Sequence, residues 1–208
     1  MSLTLLILLV TIAVSFAALG NENIYYKFMM NPYQALHRKE YWRFLTSGFI
    51  HNGYIHLGFN MFTFFFFGQV VEETFLKRFG ETQGNAFLIL FYLSAIVISD
   101  LPVAIKHKDN PSYNSLGASG AVSAIVFCSI LYYPTNDICL YGLLCLPGFL
   151  LGAFYIIYSY IQGKDADDNI NHEAHLYGAI YGLIFGFLVY PGAGAEFFEQ
   201  LANYRFNF

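Results

Sequence analysis

The sequence predicts an all-α membrane protein of six crossing helices, with a structured loop lying in the membrane interface after the first of them. Three observations carry that prediction. Hydrophobic residues make up 57% of the 208-residue chain and charged residues only 12%, about half the charged share of an ordinary soluble domain. Six apolar segments are each long enough for a hydrocarbon core of about 30 Å, and nearly all the charge falls between them. Aromatic residues, 20% of the chain, suit lipid-facing surfaces and interfacial belts. No long repeat or low-complexity tract breaks the pattern, so residues 1–208 read as one membrane domain.

In order, the segments cover residues 3–19, 55–71, 86–105, 116–133, 138–161 and 174–190. The first lacks the basic leader of a signal peptide and reads as a span. After it comes "NENIYYKFMMNPYQALHRKEYWRFLTSGFIHNGY", too polar to cross and too apolar for a free linker, which predicts a folded interfacial element. The other gaps are "EETFLKRFGETQGN", "KHKDNPSYNS", a short "PTND" and the acidic "QGKDADDNINHE". Cys128, Cys139 and Cys145 lie in or beside apolar runs without the close spacing of metal sites, and read as small buried hydrophobes. A net charge of -4 with no basic run gives no nucleic-acid partner.

Orientation is left open. With a cytoplasmic N-terminus, Lys77, Arg78 and Arg205 would lie inside, and Lys27, Arg38, Lys39, Arg43, Lys106, Lys108 and Lys164 outside. That distribution opposes the positive-inside tendency.

Six crossings make the second, fourth and sixth segments run in the same direction and start on the same face. Their starts hold the polar residues. The second opens with "IHLGFN", where His56 and Asn60, at i and i+4, share a helix face. The fourth opens with "LGASG", carrying Ser119, and the sixth with "AHLYGAIYG", carrying His175 in its first turn. Ionisable groups inside a membrane are costly and usually functional. Gly178, Gly182 and Gly186 recur at every fourth position and form a groove for a neighbouring backbone, matched by Gly117 and Gly120. Close packing of these two helices brings Ser119 within reach of His175, as a nucleophile and its base require. Taken singly, the small residues also serve helix packing and Asn60 also serves as interhelical glue. "NHEAH" has part of a zinc pattern, but His172 and His175 are three apart and a third ligand is missing. His51 reads as a loop-ordering hydrogen-bond group.

These residues resemble the rhomboid intramembrane serine proteases along almost the whole chain. "YWRFLTSGFIH" is similar to the family's Trp-Arg segment, here Trp42 and Arg43. "HNGYIHLGFNM" resembles its H-x-x-x-N element, and "GQVVEE" the end of its second helix, with Glu72 at a structural polar position. "GASG" matches the nucleophile motif and "AHLYGAIYG" the A-H-x-x-G-x-x-x-G element. The resemblance implies a rhomboid-like six-helix bundle with Ser119 as nucleophile and His175 as base. It further implies His56, Asn60 and the Ser119 N–H at the oxyanion, Phe59 in a substrate gate near the fifth helix, and structural roles for Trp42, Arg43, Glu72, Gly117, Gly178 and Gly182. Two departures stand out: Ser123 replaces the Tyr or Phe often stacked on the histidine, and Asn171 stands where Gly is common.

The implied activity is endopeptidase cleavage of transmembrane segments of membrane proteins, with the bilayer as partner and no cofactor or metal. The location is a membrane crossed several times, the plasma membrane if the source is bacterial. A noncatalytic rhomboid-like protein that binds transmembrane helices is the alternative; loss of the serine or histidine would be its usual sign. A small transporter would carry charges near helix middles, whereas these segments keep their ionisable groups mostly at the ends.

Overall fold

A computed structural model describes residues 1–140, 144–165 and 170–205. Helix α1 spans Leu3–Leu19 and is closed at its start by Ser2, whose hydroxyl accepts from the Leu5 N–H. The stretch after α1 folds into three short helices, α2 (Glu22–Phe28), α3 (Pro32–His37) and α4 (Arg43–Thr46). Asn31 caps α3 and Pro32 enters its first turn, where a missing N–H costs nothing. Arg43 is buried and ties this layer together. It donates to the Tyr26 and Met29 carbonyls, to Gln34 and to the Glu40 carboxylate at 2.6 Å. Trp42, beside it, is exposed.

Helix α5 runs from Tyr54 to Lys106 and is broken at Gly80, whose φ of 76° is the left-handed conformation glycine adopts at little steric cost. The expected second and third segments are thus two helices meeting at one residue, and the gap predicted over "EETFLKRFGETQGN" is helical on both sides of it. Charge alone does not end a helix; here only glycine does. A Cβ at Gly84 would come within 2.9 Å of Phe75 backbone, so its absence lets the returning half of α5 close on the outgoing half.

Helix α6 covers Ser119–Tyr132, shorter than the apolar run that contains it. Next comes a departure from all-α: β1 (Asp137–Leu140) pairs antiparallel with β2 (Leu144–Pro147), and α7 begins only at Gly148 and ends at Asp165. Pro147 explains it, since the residue before a proline is driven to extended backbone and a helix cannot run through from Ile138. Cys139 and Cys145 face each other across this hairpin and form a disulfide, and both are exposed, which corrects their reading as buried hydrophobes. Cys128 is free and buried. Helix α8 spans His172–Val189; a turn bends the chain by 110° into the amphipathic α9, Ala193–Asn203.

By length and apolarity alone, Tyr54–Lys106 passes as a membrane-crossing helix and α8 with α9 passes as a bent pair, while α1 and α6 are shorter apolar helices. The core is aromatic: Phe64, Phe75, Phe91 and Tyr92 are fully buried, and Phe91 stacks on Phe185 of α8 at 4.4 Å. Glu72, buried in α5, receives the Leu3 and Thr4 N–H groups on its two carboxylate oxygens at 2.7 and 2.8 Å. A carboxylate at a helix N-terminus answers both the unpaired N–H groups and the positive end of the dipole.

Candidate active site

The start of α6 is held from the turn before it. Gly117 adopts φ of 118° and its N–H donates to the Ser47 carbonyl at 2.9 Å. The Ala118 N–H donates to Nε2 of His51 at 3.2 Å. With Nε2 accepting, the neutral ring carries its proton on Nδ1, which donates to Ser15 Oγ at 2.9 Å, and the Ser15 hydroxyl passes on to the Phe49 carbonyl at 2.9 Å. His51 is fully buried; burial first, and His56 second, push its pKa down to about 3. It therefore links α1, the layer of short helices and the residue before Ser119, a loop-ordering group as the sequence suggests. Ser119 opens α6, where the leading N–H groups have no intrahelical acceptor.

The start of α8 is capped by Asn171. Its Oδ1 accepts from the Ala174 N–H at 3.0 Å and its carbonyl from the His175 N–H at 3.2 Å. His175 stands in the first turn. Its ring lies nearly parallel to Tyr155 of α7, centroids 6.4 Å apart and planes 21° from each other. The Tyr155 hydroxyl shares a 2.7 Å hydrogen bond with Ser123.

Backbone contact brings the two helix starts together. A Cβ on Gly178 would collide with the Gly120 carbonyl, one on Gly182 with the Ala124 carbonyl, and one on Gly120 would sit 3.4 Å from the Ala174 carbonyl. The glycine groove predicted for the sixth segment therefore seats α6 along its length. The neighbours of Ser119 and of His175 in sequence are those in contact.

His56 packs its ring on Gly117, where a Cβ would lie 2.7 Å from Cε1. Its Nδ1 accepts from the Asn52 N–H at 3.4 Å, so the neutral ring holds its proton on Nε2. Asn60 is buried and donates one amide hydrogen to the His56 carbonyl at 3.0 Å within its own helix. Phe59 lies exposed on the outer face of α5, 56% accessible, and does not line the cavity at Ser119. Among the described residues no three His, Cys, Asp or Glu side chains gather as a metal site.

Beside Ser119 is a small cavity of about 10 Å³ lined by Ser99, Asp100, Ser115, Ser119, Asn171 and Ala174, among others, roughly the room of one water. Asp100 is the residue sequence reading passed over. It is a lone carboxylate within the third apolar segment, and that isolation was its signal. Tyr155 gave none, being one tyrosine among seventeen.

A deep glycine-lined α6–α8 contact, a serine and a histidine on the facing first turns and a carboxylate tying α1 to α5 define a family of helical proteins. The rhomboid domain matches residues 38–192, and the chain belongs to the rhomboid family. It is 29% identical to the rhomboid protease GlpG of Haemophilus influenzae over 175 residues, 82% of this chain and 81% of that one. The putative rhomboid protease YdcA of Bacillus subtilis is 27% identical over 157 residues, 72% of this chain and 67% of its own. RHOMBOID-like protein 12, mitochondrial, of Arabidopsis thaliana is 29% identical over 147 residues, 67% of this chain. The chain spans 44% of that plant relative and 56% of Rhomboid-like protein 11, chloroplastic, of the same plant.

Proposed function

We propose that the chain is an intramembrane serine endopeptidase that cleaves transmembrane segments of membrane proteins through a Ser119–His175 dyad. The observation that carries the reading is the backbone contact of the first turns of α6 and α8, with Gly120 against Ala174 and Gly178. Membership of a family that includes proteins named as proteases supports it. In this reading α1, the two halves of α5, α6, α7 and α8 are the six crossings. The layer of α2 to α4 lies in the interface, with the bilayer and transmembrane proteins as partners.

His175 takes the Ser119 proton as Oγ attacks the scissile carbonyl and gives it to the leaving amine as the C–N bond breaks; water, deprotonated by His175, then cleaves the acyl ester and the proton returns to Ser119. The negative oxygen of the tetrahedral intermediate is met by the free N–H at the start of α6, the Nε2–H of His56 and the remaining amide hydrogen of Asn60, with the positive end of α6 behind them. Substrate enters from lipid beside α7 and Phe59. An intact helix shields its peptide bonds, so preferred segments hold Gly or Ala where backbone unwinds at low cost.

The deciding experiment uses protein purified in detergent with a transmembrane substrate. Ser119→Ala and His175→Ala each abolish cleavage and keep the parent's melting temperature. Cleavage by Ser119→Ala at the parental rate would sink the assignment.

A further inference from the structure

We infer that Asp100 is a positioning residue for the proposed base: through Asn171 it fixes the first turn of α8, and with it His175, against the cavity that Ser119 lines. The inference rests on the dyad reading above.

Asp100 lies near the end of α5, in the wall of the same small cavity as Ser119 and Asn171. Its Oδ1 accepts from the Asn171 Nδ2 at 3.4 Å, at the long end for such a bond. Asn171 is fully engaged in the other direction. Its Oδ1 caps the Ala174 N–H and its backbone carbonyl receives the His175 N–H. The amide plane of Asn171 is therefore held at one end by Asp100 and at the other by the helix whose first turn carries the histidine. A glycine at position 171 would offer no side chain for an acid to hold, so the tie needs both Asp100 and Asn171.

The surroundings favour a positioning role over a merely tolerated acid. Ser99, the neighbour of Asp100, presses on Gly120, next to Ser119. Ser115 Oγ, also in the cavity wall, is buried without a hydrogen bond of good geometry and interacts only loosely with the Tyr113 hydroxyl. The cavity therefore presents polar groups from α5, from the turn before α6 and from the cap of α8 around about 10 Å³. A second tie between the same helix ends, Lys106 to Glu173 at 2.7 Å, is solvent-exposed and contributes little by itself. It leaves Asp100–Asn171 as the less exposed, part-buried tie. Without Asp100 the Asn171 side chain is free to turn away, and the Ala174 N–H loses its cap.

The test measures the rate at which a fluorophosphonate probe labels Ser119, resolved into the maximal labelling rate and the probe concentration giving half of it. Asp100→Leu, branched at the same atom though bulkier and unable to accept, should lower the maximal rate roughly tenfold, as a base displaced by a fraction of an ångström would, with the half-saturating concentration unchanged. Asp100→Asn still offers an oxygen to Asn171 and should stay within about twofold of the parent, since the acceptor and not the charge is the requirement. Asn171→Ala should slow labelling as much as Asp100→Leu, and the double variant no more than either. Parental rates in Asp100→Leu overturn the inference, as do multiplying losses in the double variant or an Asp100→Asn as slow as Asp100→Leu. If Asp100→Leu does not fold, Asn171→Ala with Asp100→Asn decides alone: the first must be slow and the second not. A parent chain that is never labelled at Ser119 overturns the dyad itself, a different result from a labelled parent whose variants match it.

Discussion

The aromatic surface beside His175 comes from Tyr155 because position 123, one turn into α6, holds a serine. The small side chain leaves room for a ring from α7, and its hydroxyl binds that ring's phenol at 2.7 Å. Tyr155→Phe keeps the stacked face and loses the bond to Ser123, so single-turnover cleavage at saturating substrate should fall only a few-fold, about what one modest hydrogen bond is worth. Tyr155→Ala should fall much further. Adding Ser123→Phe to Tyr155→Ala returns a ring to the histidine from the other side and should recover part of the loss. No recovery, with melting temperature unchanged, would mean the ring does not orient the base. At this scale the placement of Ser119, His175, His56 and Asn60 near helix starts is legible in the sequence, because each sits at a fixed spacing early in an apolar segment; the roles given to them belong to the proposal. Tyr155 and Asp100 were not legible. Their roles depend on which helix lies beside which, and no spacing within one segment encodes that.

Helices α6 and α8 meet along a line where side chains are missing from both. Gly178 is the tightest test of that contact, since an added Cβ would press on the Gly120 carbonyl and backbone stands on both sides. Gly178→Ala should cost on the order of 1–3 kcal/mol, as overpacked sites do, and should lower both melting temperature and cleavage. Gly58→Ala is the control. Nothing lies within 4 Å of a Cβ there, and an alanine in place of a helical glycine should stabilise by about 0.5–1 kcal/mol. Equal melting temperatures for the two variants would contradict the packing argument. Most elements could be read from apolar runs, but three could not. The paired strands Asp137–Leu140 and Leu144–Pro147 hide in such a run because a strand and a span are both apolar, and only Pro147 distinguishes them. The charged stretch around Gly80 is helical because its charges project from helix ends. Helix α9 follows a 110° turn that separates it from the apolar run of α8.

Stability of the whole molecule inherits a pH dependence from His51, since that ring joins α1, the layer of short helices and the start of α6. Folded, its pKa is about 3 against an ordinary 6.5. The unfolded chain thus binds a proton that the folded one refuses whenever the pH lies between those values. The contribution is complete above about pH 6.5 and drains away as the pH falls, by about 1.4 kcal/mol per unit until about pH 3. His51→Gln cannot titrate. Its melting temperature should be lower than the parent's near neutrality and should decline less steeply on acidification, the difference between the two slopes removing other acids from the comparison. Parallel slopes would show that His51 is free to protonate in the folded state.

Glu72 sets an order of events during synthesis. The N–H groups of Leu3 and Thr4 leave the ribosome ahead of the carboxylate that receives them, which lies 69 and 68 residues further along the chain. At common elongation rates that interval is roughly several seconds. Throughout it, helix α1 carries bare donors at its leading end. Helix α1 is thus made before α5 and finished only after it, and a newborn chain stalled before residue 72 would hold α1 only by the contacts that helix can make alone.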